Sequence, residues 1–304
     1  MNLFVQAIYL ASGLSLAYIF LLYRSNPLRR LPASRVTISF VVGMLAVIPV
    51  ILIKHLASLP EGSSLFASFV SAGTIEEGVK FALIALMIWR FSFPDLAEPL
   101  DLAIYFGILG VGFGIYEDFS YLFSGTYSVW EAGNIGQFHR ALRVLVMARA
   151  FPGHILFDAL AGFLLGHARF RADKRTRGWW IVGAFILAVA LHGSFNMIAV
   201  HGGTIPLLTY VSVLFGVFLQ LRRRALESSP FRATIAYVKG EAHEWKYPHP
   251  PAEYLFAEGF SWPGKPQQGM YELFPLAMSL VILYPLLVAS VYLLERAAVW
   301  LTTL

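Results

Sequence analysis

Residues 65–89 run LFASFVSAGTIEEGVKFALIALMIW, and they constrain how the rest of the chain is arranged. The stretch is long and apolar enough to cross a bilayer, which takes about 20 apolar residues. Near its middle, however, it carries Glu76, Glu77 and Lys80. A charge at the bilayer centre costs about 2.5 to 3.5 kcal/mol for Asp, Lys or Arg, even on lenient insertion scales. These three groups therefore need polar partners, which the other hydrophobic segments have to supply.

The composition places most of the chain in a membrane. Of its 304 residues, 58% are hydrophobic and 13% are charged, and the mean hydropathy is +0.65. Soluble domains carry about 25% charged residues and fewer than half apolar ones. The absence of cysteine excludes disulfides, thiol nucleophiles and Cys-ligated metals. The first apolar segment has no basic leader and no convincing cleavage site, so we interpret it as a membrane span.

The hydrophobic pattern predicts an all-α polytopic membrane protein with about eight transmembrane helices and a polar site between helices 3 to 6. In order, the predicted spans are Leu3–Tyr23, Val36–Leu56, Ser64–Trp89, Leu100–Phe123, Arg143–His167, Trp179–Val200, Ile205–Leu221 and Phe274–Trp300. We divide the chain into an N-terminal two-helix segment (1–63), a four-helix catalytic core (64–200) and a C-terminal part (201–304). The C-terminal part has two further spans that flank a polar loop (222–272).

Basic residues in the connecting loops predict the orientation. Clusters of Arg and Lys lie within residues 24–35, 169–177 and 222–224. With eight spans these clusters share one side, which the positive-inside rule makes cytoplasmic, with both termini outside. Three arginines within residues 140–149 fall on the other side, against that rule.

Polar side chains recur at helical spacing in spans 3 to 6, and residues four apart lie on one face of a helix. The residues are Glu76, Glu77 and Lys80 in span 3, Glu117 and Asp118 in span 4, His154 and Asp158 in span 5, and His192 and Asn196 in span 6; Phe113 lies one turn before Glu117. At about 1.5 Å per residue from the outer ends, Glu76, His154 and His192 lie roughly 12–18 Å deep, and Glu117 lies at about 9 Å. This shared depth in helices of opposite direction predicts one common site.

The chemistry of these groups fits the hydrolysis of an amide bond. A carboxylate can take a proton from water to generate a nucleophile, and a histidine can orient that water or protonate the leaving amine. A second histidine and an amide group can donate hydrogen bonds to a tetrahedral oxyanion. We expect no cofactor. In a metal-dependent variant of the reaction, with a divalent ion such as zinc, we expect the ligands to be Glu76, Glu117, His154 and His192, although the chain has no HExxH motif.

Two alternatives to an enzyme stay open at this point. Buried carboxylates and histidines also form the proton relays of coupled transporters, although no inverted repeat is evident here. The same residues could instead join the helices of a non-catalytic scaffold through salt bridges and hydrogen bonds. For the partners, we expect a membrane-protein substrate and the lipid bilayer, and no nucleic acid.

The order of the motifs resembles that of the PrsW family of intramembrane proteases, which is related to the type II CAAX prenyl endopeptidases and the wider CPBP group. Each motif lies on its own span, within about residues 70–200. The motifs are Glu76-Glu77-x-x-Lys80, Phe113-x-x-x-Glu117 and His154-x-x-x-Asp158. The resemblance implies an endopeptidase in a bacterial cell membrane that cuts a membrane-anchored protein, such as an anti-sigma factor. The depth of the polar groups puts that cut near the outer face.

The related CAAX-type enzymes imply a role for the two glutamates of span 3. In those enzymes a glutamate activates water together with a histidine, while a His and an Asn bind the oxyanion. Carried over to this chain, Glu76 is the base and Glu77 supports it. The relatives have a histidine at the position of Glu117.

The oxyanion pair has two counterparts in this sequence. It corresponds either to His154 and Asp158 or to His192 and Asn196, which have the same spacing. On chemical grounds we prefer His192 and Asn196 as the oxyanion donors, which leaves His154 as the partner of Glu76. Lys80, Phe113 and Asp158 then have supporting roles.

Overall fold

Helices account for nearly all of the chain that the computed structural model describes. The described residues are 3–28, 31–59, 64–90, 98–131, 153–169 and 173–227, together with positions 96, 133, 136–138, 229 and 231. Within them no strand occurs, so the predicted all-α class is confirmed. The eighth predicted span, most of the 222–272 loop and the arginines at 140–149 lie outside these residues.

The helices follow the predicted spans closely. They are α1 (Leu3–Tyr23), α2 (Ala33–Leu56), a π-helix (Ala67–Thr74) that leads directly into α3 (Ile75–Arg90), α4 (Pro99–Glu131), α5 (Gly153–Arg169), α6 (Lys174–His201) and α7 (Thr204–Glu227). Four of these, α2, α4, α6 and α7, have a stretch long and apolar enough to cross a membrane. The chain is therefore a helical integral membrane protein, and the number of its spans stays a prediction.

The fourth helix forms the centre of the bundle. In its most apolar stretch 83% of the residues are buried, against 28% in α6 and 17% in α7. It packs against α1, α2 and α5, and side chains such as Tyr105 and Phe106 are fully enclosed. The outer helices instead expose large apolar residues, including Ile186 on α6 and Val213 on α7. This pattern fits a lipid environment, which solvates apolar side chains on the outside of a bundle.

Glycines allow the helices around α4 to approach closely. A Cβ on Gly112 would collide with the backbone of Phe40 in α2, and a Cβ on Gly162 of α5 would collide with Leu102 and Ala103. Inside a membrane the hydrophobic effect does not drive helices together. Van der Waals packing does so instead, and small residues at such crossings allow it by letting the backbones approach closely. The close contacts of α4 with α2 and α5 therefore depend on the missing side chains.

A π-helix precedes the carboxylate pair. Over Ala67–Thr74 the hydrogen bonds span five residues instead of four, and the Thr74 hydroxyl donates to the Phe69 carbonyl at 2.9 Å. The Phe69 ring fills the space above Gly193 of α6, where a Cβ would overlap the ring. π-Helical turns occur frequently at functional sites. Here the turn sets the rotation at which Glu76 and Glu77 enter α3.

Polar contacts connect the loop between α1 and α2 with α4 and α7. The Asn26 amide donates to Glu98 Oε1 at 2.6 Å, and Asp101 Oδ2 accepts from the Glu98 backbone N–H at 3.1 Å. Arg222 of α7 donates to the Ser25 carbonyl at 2.6 Å. On the α6 side, Asp173 caps the helix by accepting from Thr176 N–H, and hydrogen bonds from the hydroxyl and the N–H of Thr176 lower the pKa of this carboxyl. These contacts lie at the helix ends that carry the arginine clusters.

The packing at Gly112 predicts a stability change. We expect Gly112→Ala to destabilise the protein by about 1–3 kcal/mol, because the added methyl group has to displace the α2 backbone. Gly183→Ala on α6 is the matched control, since a Cβ there meets nothing within 4 Å. Thermal unfolding of both variants in the same detergent measures the difference. Equal melting temperatures would show that the crossing of α2 and α4 is not tight.

Candidate active site

A fully buried group of three charges joins α3 to α5. Lys80 Nζ lies 2.7 Å from Glu77 Oε1, and 3.0 and 2.9 Å from the two carboxylate oxygens of Asp158. All three side chains have 0% exposure. Phe113 places its ring under the ammonium, with 5.2 Å between Nζ and the ring centroid. Space for the Asp158 carboxylate exists because Gly110 of α4 has no side chain. We call Glu77, Lys80 and Asp158 the buried ion triad.

Lys80 does not form the ion pair with Glu76 that helical spacing alone predicts. The i,i+4 spacing puts Glu76 and Lys80 on one face of the helix, but among the described residues the ion pairs of Lys80 are with Glu77 and Asp158. The reason is that Lys80 faces α5, where Asp158 lies, and Glu77 one turn earlier shares that side. Glu76 pairs instead with Lys54 at the end of α2, where Nζ lies 2.6 Å from Oε1.

Glu77 also fixes the orientation of His192. Its Oε1 lies 2.7 Å from His192 Nδ1. Because a carboxylate accepts, Nδ1 of His192 is the donor in this hydrogen bond, which leaves Nε2 facing the rest of the site. This Nε2 atom lies 3.8 Å from Glu76 Oε2. The Phe157 ring stacks on the imidazole at 5.6 Å between centroids. The role of His192 as an oxyanion donor, which we preferred from the sequence, stays a prediction.

His154 is held between α4 and the triad. Its Nε2 lies 2.9 Å from Glu117 Oε2, and its Nδ1 lies 3.4 Å from Lys80 Nζ. The ring meets the Phe113 ring edge to face at 5.0 Å and the His192 ring at 4.8 Å. The geometry thus pairs His154 with Glu117 and places His192 beside Glu76, and the assignment of His154 as the partner of Glu76 in the reaction stays a prediction.

A cavity opens beside these groups. Glu117, His154, His192 and Asn196 line it, as do the small residues Gly110, Gly114 and Gly153. Two further lining residues, Ser15 and Tyr18, come from α1. Neither residue was predicted, because α1 is apolar and distant in sequence from spans 3 to 6, and nothing in its sequence signals that it borders the site. Lys54 was not predicted either, because a basic residue at the end of a span usually lies at the membrane interface.

The chain is similar to known membrane proteases over this whole region. The model of the "PrsW family intramembrane metalloprotease" matches residues 31–221, which is well over half of the sequence. The chain belongs to the PrsW family. The resemblance predicted from the three motifs is confirmed, and the match extends beyond them to α2 and α7.

Curated relatives carry the same family name. "Protease PrsW" of Bacillus subtilis is 29% identical over 191 residues, which cover 62% of this chain and 79% of the relative. "Protease PrsW" of Clostridioides difficile is 29% identical over 199 residues, which again cover 62% of this chain and 79% of the relative. No solved structure matches the chain significantly. Together with the apolar helices, this family membership makes the chain a bacterial membrane peptidase.

The name of the PrsW family implies a metal, and the residues present fit one. Single ligand atoms of Glu76, His154 and His192 all lie within 4.8 Å of one another, and all three residues are buried. Glu76 Oε2 is buried and has no hydrogen-bond partner among the described residues. A carboxylate with two imidazoles is a common zinc ligand set, in which tetrahedral ligand atoms lie about 3.4 Å apart. To bind one ion the three atoms have to move closer together, and His154 has to give up one of its two contacts, since its Nε2 faces Glu117 and its Nδ1 faces Lys80. The fourth predicted ligand, Glu117, bonds to His154 instead.

The buried ion triad predicts a large cost for removing its cation. We expect Lys80→Met to destabilise the protein by about 3–5 kcal/mol, because Glu77 and Asp158 are then left buried without a counter-charge. Arg223→Met is the control, since the pair of Arg223 with Glu227 is exposed, at 72% and 49%. Thermal unfolding in detergent measures both variants. A Lys80→Met protein as stable as the control would show that the triad does not hold α3 and α5 together.

Proposed function

We propose that the chain is an intramembrane endopeptidase that hydrolyses a peptide bond of a membrane-anchored protein in the cavity between α1, α4, α5 and α6. The observation that carries this proposal is the convergence of Glu76, His154 and His192, from three different helices, on one buried site. Membership of a family of intramembrane proteases supports the reaction type. An anti-sigma-factor-like protein with a single span is the substrate class that fits this family.

We infer that Glu76, His154 and His192 hold a divalent cation. A cation bound there would activate a water molecule and polarise the carbonyl of the scissile bond. Lys54 and Glu77 support the ligands, because one bonds to Glu76 Oε1 and the other to His192 Nδ1. Such outer contacts orient metal-binding side chains and fix the tautomer of a histidine. The cofactor-free reaction, in which Glu76 itself takes the proton from water, is the alternative to this arrangement.

Two cavity residues have the chemistry for the remaining steps. Glu117 is 23% exposed and bonds to His154, so its carboxylate can take the proton that the attacking water loses. The proton then passes to the amide nitrogen as the C–N bond breaks, which releases the amine. The Asn196 amide lines the same cavity and can donate a hydrogen bond to the oxyanion.

The position of the site along the helices supports a cut near the outer face. In α6, His192 lies 18 residues after Lys174 and 9 residues before His201. At about 1.5 Å per residue, these are distances of about 27 Å and 14 Å. The end that starts at Lys174 carries arginines and is the one farther from His192, and the positive-inside rule makes that end cytoplasmic. The substrate would then be cut in the outer half of the membrane.

Removing the Glu76 charge tests the proposal. We expect Glu76→Gln to lower cleavage of a single-span substrate by at least about 100-fold, the usual scale for a positioned acid–base group or metal ligand. The measurement is cleavage by purified protein in detergent or liposomes. Glu227→Gln, on the exposed end of α7, is the control and should cleave normally. Normal cleavage by a folded Glu76→Gln protein would contradict the assignment of the site.

A further inference from the structure

Lys54 contacts the site from outside the predicted catalytic core. It lies in the last turn of α2, and its ammonium bonds to Glu76 Oε1 at 2.6 Å. The two side chains are 21% and 4% exposed. An ion pair between exposed groups contributes little, but here one partner is almost completely removed from solvent. Without Lys54, the Glu76 carboxylate would lose its short contact with a cation in an apolar setting.

The contact uses only one of the two carboxylate oxygens. Oε1 accepts from Lys54, while Oε2 points towards His192 Nε2 at 3.8 Å and has no hydrogen-bond partner among the described residues. Lys80 does not substitute for Lys54, because the buried ion triad already engages its ammonium through Glu77 and Asp158. Lys54 thus holds Oε1 of Glu76 and leaves Oε2 on the side of His192.

The position of Lys54 is itself well defined. The backbone at the end of α2 closes with hydrogen bonds from Ala57 N–H to the Ile53 carbonyl and from Leu59 N–H to the Lys54 carbonyl, both at 3.0 Å. Earlier in the same helix, Gly43 of α2 and Gly112 of α4 allow the two backbones to approach closely, which fixes α2 against α4. A side chain that starts from such a fixed point can hold a carboxylate in one orientation.

We propose that Lys54 is a positioning residue for the hydrolytic site. It holds Glu76 by Oε1, offsets its charge, and presents Oε2 to the cation site between His154 and His192. The proposal rests on the proposed function, since it assigns a role to Glu76 in that reaction. Lys54 is not among the described residues that line the cavity, so its proposed effect on the reaction passes through Glu76.

Zinc affinity together with the steady-state constants tests this role. The measurements are zinc titration by calorimetry and cleavage of a single-span substrate, both with the purified full chain. We expect Lys54→Met to weaken zinc binding and to lower kcat by about 10- to 100-fold, the usual effect of losing an outer contact to a ligand. KM should stay within about twofold of the wild-type value, because Lys54 is not among the described residues that line the cavity. Lys54→Arg keeps a cationic donor and should restore most of both losses.

Two reference variants make the outcome unambiguous. His55→Gln changes the exposed neighbour of Lys54 and should behave like the wild type. Glu76→Gln should lose both zinc affinity and cleavage, and adding Lys54→Met to it should change zinc affinity no further. If Glu76→Gln keeps both properties, the proposed function itself fails. If only Lys54→Met keeps both, the positioning role is wrong, and tighter zinc binding by Lys54→Met would show that the ammonium competes with the cation instead.

Discussion

The salt bridges around Lys80 hold the polar centre of this protein together. An ammonium with no exposed surface contacts two carboxylates with no exposed surface, one from its own helix and one from α5. Charges in such a place are costly unless they are paired and hydrogen-bonded. Their mutual attraction therefore requires α3 and α5 to keep one rotation and one depth relative to each other. The Asp158 carboxylate finds room only because Gly110 lies opposite.

The functional groups extend from this centre along two series of contacts. In one, Glu77 links Lys80 to His192, whose other nitrogen faces Glu76, and Lys54 holds the far oxygen of Glu76. The other series of contacts leads from Lys80 through His154 to Glu117. His192 from the first series and Glu117 from the second line the same cavity, so the charges that stabilise the bundle also orient the groups proposed to act on the substrate. Such support by outer contacts is typical of sites that bind metals.

Much of this arrangement could be predicted from the sequence. Span length and hydropathy were enough to predict the helices. The i,i+4 spacing identified Glu117, His154 and His192, which the structure brings together around the cavity. Their pairing could not be predicted. The decisive contacts join residues 22, 78 and 115 positions apart, which local periodicity does not encode. The π-helix adds to the difficulty, because a turn of different pitch shifts the faces that a 3.6-residue period assigns.

X-ray absorption at the zinc edge of the purified, zinc-loaded protein tests most directly whether Glu76, His154 and His192 form one metal site. We expect one ion per chain, with two imidazole nitrogens at about 2.0–2.1 Å and a carboxylate oxygen at a similar distance. In His192→Gln the ion should be lost or show one imidazole fewer. A protein that cleaves its substrate without any bound metal, or a zinc ion whose spectrum His192→Gln leaves unchanged, would contradict the proposed metal site.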